Sequence, residues 1–262
     1  MEVKLDEVVV KLDQALARPE AKRRYNQRLF TTIATRYDLI TRLLSFGQDQ
    51  SWKERVVSLA RVGAGDRVLD LACGTGDLAF ASARLGAAVT GLDLTPRMLT
   101  IAKGRSSGAQ VHGCTGAQVH GCTGARVHWC TGDMCNLPVA GETFSVATVG
   151  YGLRNVPDLP AALREIHRVL KPGGRLCSLD FDKPESAFIR AIYLGYLNIV
   201  GGALGWVLHR DPDTYRYIPA SIQRYPGARG VVELMQAAGF VNVRHVKVLG
   251  GFMAIHVAEK PI

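Results

Sequence analysis

Short apolar runs separated by stretches of helical spacing recur from residue 67 to the end of the chain, and they set the first expectations. The run at 67–72 is bounded by polar residues on one side and a glycine cluster on the other, which marks a buried strand. Similar runs at 87–92, 126–131, 144–149, 175–181, 241–248 and 252–258 predict six further strands. Between them, residues 77–85, 96–103, 159–170 and 230–238 carry helical spacing, with Lys171-Pro-Gly-Gly174 and Gly239 as stop signals. Strands alternating with helices predict an α/β, Rossmann-like fold: a doubly wound, mostly parallel seven-stranded sheet with ligand sites at the carboxyl ends of its strands. Upstream, residues 15–62 have helical spacing and many bases, among them Lys22, Arg23, Arg24, Arg28, Arg36 and Arg42. The expected division is therefore an N-terminal helical extension at 1–62 and the α/β domain at 63–262.

Two segments depart from this rhythm. Residues 191–208 hold one plainly polar side chain, Asn198, and reach the lower length for a membrane span. Gly195, Gly201, Gly202 and Gly205 weaken a single helix there, so the expectation is a buried or interfacial helical pair within a substrate-lid segment at about 185–225. Before the third strand, Gly108-Ala-Gln-Val-His-Gly-Cys-Thr115 recurs unchanged at 116–123 and in altered form at 124–131. The repeat sets His112, His120 and His128 each two residues before a cysteine. That spacing matches no common zinc pattern, so no metal site is expected and the repeat reads as a local duplication.

Composition narrows the setting. Lys and Arg outnumber Asp and Glu by 32 to 23, a net charge of +9, which draws the protein to anionic surfaces of either nucleic acid or lipid. No aromatic stacking platform sits within a basic run, so no nucleic-acid partner is expected. The first fourteen residues lack the basic-then-apolar order of a secretory signal, and the six cysteines read as free thiols of a cytoplasmic protein.

The candidate chemistry lies at the ends of the first three strands. Asp70-Leu-Ala-Cys-Gly-Thr-Gly76 closes the first with a glycine turn in which Gly74, Thr75 and Gly76 let a ligand approach the backbone. The third glycine of a dinucleotide fingerprint is missing, because Leu78 and Ala79 follow Asp77, so a pyrophosphate is less expected there. Asp93 ends the second strand beside Leu94 and can accept both hydroxyls of a ribose. Asp133, with Met134, follows the third and can accept an adenine amino group. Nucleoside contacts without a pyrophosphate cradle point to S-adenosylmethionine rather than a nicotinamide cofactor. The plainer alternative, that these acids cap helices or close turns, fits Asp77 better than the other three.

At this point the chain resembles the ubiquinone/menaquinone biosynthesis C-methyltransferases of the UbiE or MenG type, from Tyr25 to Pro261. Phe30-Thr-Thr-Ile-Ala-Thr-Arg-Tyr-Asp38, Leu44-Ser-Phe-Gly47 and Trp52-Lys53 are similar to that family's N-terminal signature. Tyr151-Gly-Leu-Arg-Asn-Val156 and Arg168-Val-Leu-Lys-Pro-Gly-Gly174 resemble the central one, and Tyr215-Arg-Tyr-Ile-Pro-Ala-Ser-Ile222 and Gly250-Gly-Phe-Met-Ala-Ile-His256 the C-terminal one. The resemblance implies a class I methyltransferase fold and makes residues 109–124 an insertion. Asp180 and Asp182 stand where the family usually has Glu and Ser, Gly150 where Ser is common, and Thr41 where Asn is usual.

What the resemblance implies for the reaction is C-methylation of a prenylated quinol, most simply demethylmenaquinol to menaquinol. Gly150 then joins the cofactor site, and Arg154, Asn155 and Tyr37 are the candidate catalytic residues. Arg154 can stabilise a phenolate; its competing role is an internal ion pair, with Asp158 the nearest acid. Tyr37 and Asp38 can close over the cofactor, and Tyr215, Tyr217 and Ser221 can line the ring pocket. His256 is a candidate base, though a histidine on a terminal strand more often serves structure. A prenylated acceptor resides in a bilayer, so transient contact with the inner face of the cytoplasmic membrane is expected, and a homodimer stays open. Rival acceptors are another small phenol, a sterol-like lipid or, with less support, RNA.

Overall fold

The computed structural model describes residues 16, 18–109, 127–184 and 186–262. The helical extension comprises α1 (Pro19–Ile33), α2 (Tyr37–Leu44) and α3 (Asp49–Leu59). The sheet domain follows as β1 (Arg67–Leu71), α4 (Asp77–Arg84), β2 (Ala88–Asp93), α5 (Pro96–Ala109), β3 (Val127–Thr131), β4 (Phe144–Gly150), α6 (Leu159–Val169) and β5 (Leu170–Phe181). It closes with α7 (Ala187–His209), α8 (Tyr217–Arg224), α9 (Gly227–Ala237), β6 (Val241–Val248) and β7 (Met253–Glu259). All seven strands form one sheet in the order β3-β2-β1-β4-β5-β7-β6. The first five are parallel, while β7 runs antiparallel to both β5 and β6. Residues 110–126, which hold most of the octapeptide repeat with His112 and His120, and the first fifteen residues lie outside the described residues.

Strand alternation divides the core between the two faces of the sheet. Leu69, Leu71, Ala147, Val149 and Leu176 pack with Leu163 and Ile166 of α6 and Val231 and Met235 of α9. Their chain neighbours Val68, Val146 and Cys177 point the other way, onto Trp52 and Val56 of α3 and Leu78 and Ala79 of α4. Both faces of the central strands are covered, which is why these strands read as continuous apolar runs rather than alternating ones. Helix α3 packs in the same cluster as β1, so this part of the extension is continuous with the sheet core.

Three expectations change. Residues 191–208 form one helix, α7, not a helical pair. At Gly201 the glycine serves contact: a Cβ there would sit 3.2 Å from Cβ of Tyr215, so only a small residue lets the helix lie this close. The expected turn at 171–174 is joined to β5, since Gly173 and Gly174 bond to Lys260 and extend the ladder. Arg154 pairs with Asp180 of β5 (2.7 Å), not Asp158, whose carboxylate is occupied in capping α6 at Ala161 N–H (2.8 Å).

Candidate active site

The turn after β1 is built from left-handed backbone: Ala72, Gly74 and Gly76 have φ of 49°, 54° and 91°. A Cβ on Gly76 would meet the Trp129 ring at 2.6 Å, so its glycine is required by packing from behind, while a Cβ on Gly74 would only touch the Tyr37 ring at 3.9 Å. Asp93, buried at the end of β2, accepts from Gly74 N–H at 2.8 Å and Thr95 N–H at 2.7 Å. It thereby ties the loops after β1 and β2 together. Asp133 accepts from Cys135 N–H at 2.9 Å and pairs with Arg23 of α1 at 3.1 Å.

These loops border an open cleft of about 720 Å³ whose walls include Gly74, Asp93, Leu94, Asp133, Met134 and Gly150. Asn155 lines its far end, and Arg23, Asn26, Gln27 and Phe30 of α1 roof it. Asp70, Thr75 and Gly150 line a smaller recess at the inner end, with Tyr37 and Lys53. Asp70 is nearly inaccessible: one oxygen accepts from Thr148 Oγ1 at 2.9 Å and the other has no partner. Burial pushes its pKa up to about 7 against the opposing pull of Thr148 and Lys53.

An ion network stiffens the recess. Lys53 reaches Asp49 at 2.5 Å and Asp77 at 2.7 Å, and Arg105 reaches Asp77 at 2.7 Å. Burial alone would raise Asp77, but Lys53 and Arg105 override it and hold the carboxyl at about 2. Asp38 accepts from Thr75 Oγ1 at 2.6 Å, closing α2 over the turn. Tyr151, with a left-handed φ of 58°, donates to Asp49 at 2.6 Å.

A second chamber, of about 690 Å³, lies beside the cleft. Its walls are aliphatic and aromatic, including Ile33, Ile40, Trp52, Phe181, Tyr193 and Tyr217. Phe30, Tyr37 and Tyr151 line both chambers. Burial raises the Tyr37 and Tyr151 phenols, so both stay protonated. The one charged side chain lining this chamber among the described residues is Arg154. Its Nη1 donates to Asp180 at 2.7 Å and to the Tyr151 carbonyl at 3.2 Å, and its guanidinium lies 4.5 Å from the Phe181 ring centre. Its Nε is buried without a partner. Asn155 donates to the Tyr151 carbonyl at 2.7 Å and accepts from Tyr217 Oη at 3.0 Å.

The structure thus brings Asp70, Gly74, Thr75, Asp93, Leu94, Asp133, Met134 and Gly150 to one cleft, with Tyr37 between it and the chamber holding Arg154. Ser221 donates to the Ile218 carbonyl and lines neither cavity. His256 is also outside both; it is buried against the Ala228 carbonyl at 3.1 Å, and burial lowers it to about 4. Lys53, Arg105, Asp180 and Asn26 were not singled out from the sequence as site residues. The Asp49/Lys53 spacing of four on a helix is a readable signal; Asn26 and Arg105 carry none.

Comparison with known proteins follows the same lines. A profile of the ubiE/COQ5 methyltransferase family matches residues 18–260. The demethylmenaquinone methyltransferase of Thermus thermophilus is 38% identical over 237 residues, covering 89% of this chain and 100% of that protein. The 2-phytyl-1,4-naphtoquinone methyltransferase of Synechocystis is 37% identical over 239 residues, covering 89% and 94%. Among solved structures, the cyclase SpnF superposes with a TM-score of 0.62 at 18% identity, covering 90% of this chain and 96% of that one. A possible histamine N-methyltransferase from Thermotoga maritima gives 0.60 at 20%, covering 89% and 98%. At these identities the last two bear on fold alone.

Proposed function

The chain belongs to the ubiE/COQ5 methyltransferase family, and from that premise we propose that it transfers a methyl group from S-adenosylmethionine to a ring carbon of a prenylated naphthoquinol, with demethylmenaquinol as the acceptor. The observation that carries this reading is the pair of cavities meeting at Tyr37 and Tyr151: a cleft bordered by strand-end carboxylates, and an apolar chamber with a single buried guanidinium.

The residues of the cleft fit the donor. Asp70 offers a buried oxygen with no partner, and Gly74 lines the cleft with no side chain of its own to fill it. Asp70, Gly74, Thr75 and Gly150 would hold the amino-acid end, Asp93 the ribose, and Leu94, Asp133 and Met134 the adenine, with Gly76 fixing the turn from behind. When bound, S-adenosylmethionine supplies an electrophilic methyl group.

The acceptor side is left to the protein. A quinol ring carbon becomes nucleophilic when the adjacent hydroxyl loses its proton, so a site that favours the phenolate lowers the barrier. Arg154, held by Asp180 and stacked on Phe181, presents a fixed positive charge to that oxygen in a water-poor chamber. Asn155, oriented by Tyr151 and Tyr217, stands at the boundary with the cleft. Tyr37 and Tyr151, protonated and packed, align the ring and exclude water. The aromatic walls suit a flat bicyclic ring, and both relatives named above carry naphthoquinone or menaquinone in their names, which favours a naphthoquinol over the benzoquinol of ubiquinone synthesis.

The prenyl tail sets the location. Helix α7 is long and apolar enough to cross a bilayer, with mean hydropathy 1.5, yet it packs one side against Tyr215 and leaves Phe188, Ile192, Ile199 and Trp206 exposed on the opposite stripe. Leu43 and Phe46 of the α2 end extend this surface, Phe46 stacking on Tyr196, and Arg42 and Arg210 are exposed at its margins. We read it as a face resting on anionic lipid at the inner side of the cytoplasmic membrane, from which the acceptor enters. The decisive experiment is incubation of the protein with S-adenosylmethionine and a short-chain demethylmenaquinol. A gain of one methyl group on the ring is expected; an untouched naphthoquinol beside a methylated benzoquinol or RNA would overturn the acceptor.

A further inference from the structure

The turn that carries Arg154 and Asn155, a single 3-10 turn at Leu153–Asn155, follows β4 and exposes its carbonyls on one side. Helix α1 meets that side with two residues one turn apart. Lys22 Nζ donates to the carbonyls of Arg154 at 3.0 Å and Val156 at 2.6 Å, and Asn26 Nδ2 donates to that of Asn155 at 2.5 Å. Three consecutive carbonyls, more than 120 residues away in the chain, are thus satisfied from one helix face. Asn26 is buried, lines the cleft, and keeps its own Oδ1 without a partner. Next to it, Tyr25 packs on Tyr217 with ring centres 5.5 Å apart, and Tyr217 in turn orients Asn155.

We propose that Lys22 and Asn26 are positioning residues of the methyl-transfer site, fixing through the carbonyls of residues 154–156 the direction in which Arg154 and Asn155 face the acceptor. The inference rests on the acceptor-side role given above to those two residues. Helix α1 contacts the cofactor side through different residues, Arg23 at Asp133 and Gln27 at the Leu94 carbonyl. Loss of Lys22 should therefore act on turnover, and loss of Arg23 on cofactor affinity.

Lys22 is also surrounded by charge of both signs. Burial and Arg154 lower its pKa to about 8, with Arg224 in the same direction and Asp180 and Cys135 opposing. As pH rises through that value the ammonium becomes an amine, a weaker donor to two carbonyls, whereas an arginine at the same place stays charged.

The test is Lys22→Met beside Lys22→Arg and Arg23→Gln in the full chain, with kcat on the short-chain naphthoquinol, S-adenosylmethionine affinity by calorimetry, and hydrogen exchange of the peptide spanning 152–157. Expected for Lys22→Met is a fall in kcat of about tenfold or more, cofactor affinity within about twofold, and faster exchange of the turn. Lys22→Arg should restore turnover and remove any decline in rate above pH 8. Should Lys22→Met fail to fold, Lys22→Gln, which removes the charge and shortens the reach to the two carbonyls, is read by the same split. Unchanged turnover, or turnover and cofactor affinity falling together in the Lys22 and Arg23 variants alike, overturns the proposal. Exchange is read without acceptor, so a wild-type protein inactive on naphthoquinols would defeat the acceptor reading while unchanged exchange in Lys22→Met defeats this one.

Discussion

At the scale of single residues, Asp70 answers to two opposed demands. Its folded pKa, raised to about 7, lies above its value in the unfolded chain, so the folded protein holds a proton that the unfolded one has released. Stability from this group is present below about pH 4 and is lost as pH rises through 7. Asp70→Asn, which cannot ionise and can still accept from Thr148, should melt several degrees higher than the parent at pH 8 while its affinity for S-adenosylmethionine falls at least about tenfold. Scanning calorimetry and titration check both halves; equal melting temperatures would contradict the assignment of burial as the dominant cause. The three strand-end carboxylates were legible because a glycine turn and the fold class both point to that edge of the sheet. The partner of Arg154 was not. Asp158 is four residues away in sequence, but Asp180 lies on the adjacent parallel strand, and no periodicity reports that neighbourhood.

At the scale of elements, α7 shows how composition reads differently from structure. Glycine lowers the helical propensity of an isolated segment, yet Gly201 and Gly205 are buried where the helix meets the turn that carries Tyr215, and tertiary contact outweighs propensity. The exposed stripe opposite them has no such partner among the described residues. Ile199→Glu with Trp206→Glu should abolish flotation with anionic vesicles at low salt and leave turnover on a soluble short-chain acceptor within about twofold. Loss of both activities together would place this helix in the catalytic machinery instead. Six of the strands were legible to within a residue or two at their ends, because apolar runs of this length between glycine and polar punctuation have few other uses, while β5 starts five residues before its apolar run, where Gly173 and Gly174 extend the ladder.

At the scale of the molecule, the doubly wound sheet followed from the alternation of elements, whereas the reversal of β7 did not, since hydrophobic periodicity carries no sign of direction. That reversal places His256 beneath α9, where one ring nitrogen faces Ala228 and the other has no partner. Burial lowers its folded pKa to about 4, below the unfolded value near 6.5, so the unfolded chain binds a proton that the folded one refuses. Stability should decline as pH falls from about 6.5, by roughly 2 kcal/mol at pH 5. Urea melts of the parent and His256→Gln at pH 7 and pH 5 check this: the variant's stability should depend less on pH, and parallel slopes would refute it. The grip of α1 on the turn after β4 has a further consequence, for biosynthesis. The helix leaves the ribosome before its partners do, since its sites at Arg154, Asn155 and Tyr217 are translated 129 to 192 residues later. Leu29 and Phe30 must therefore wait for the cover that Tyr215, Tyr217 and Ile218 supply until the first five strands have emerged, which makes this helix a natural place for a chaperone to hold the chain.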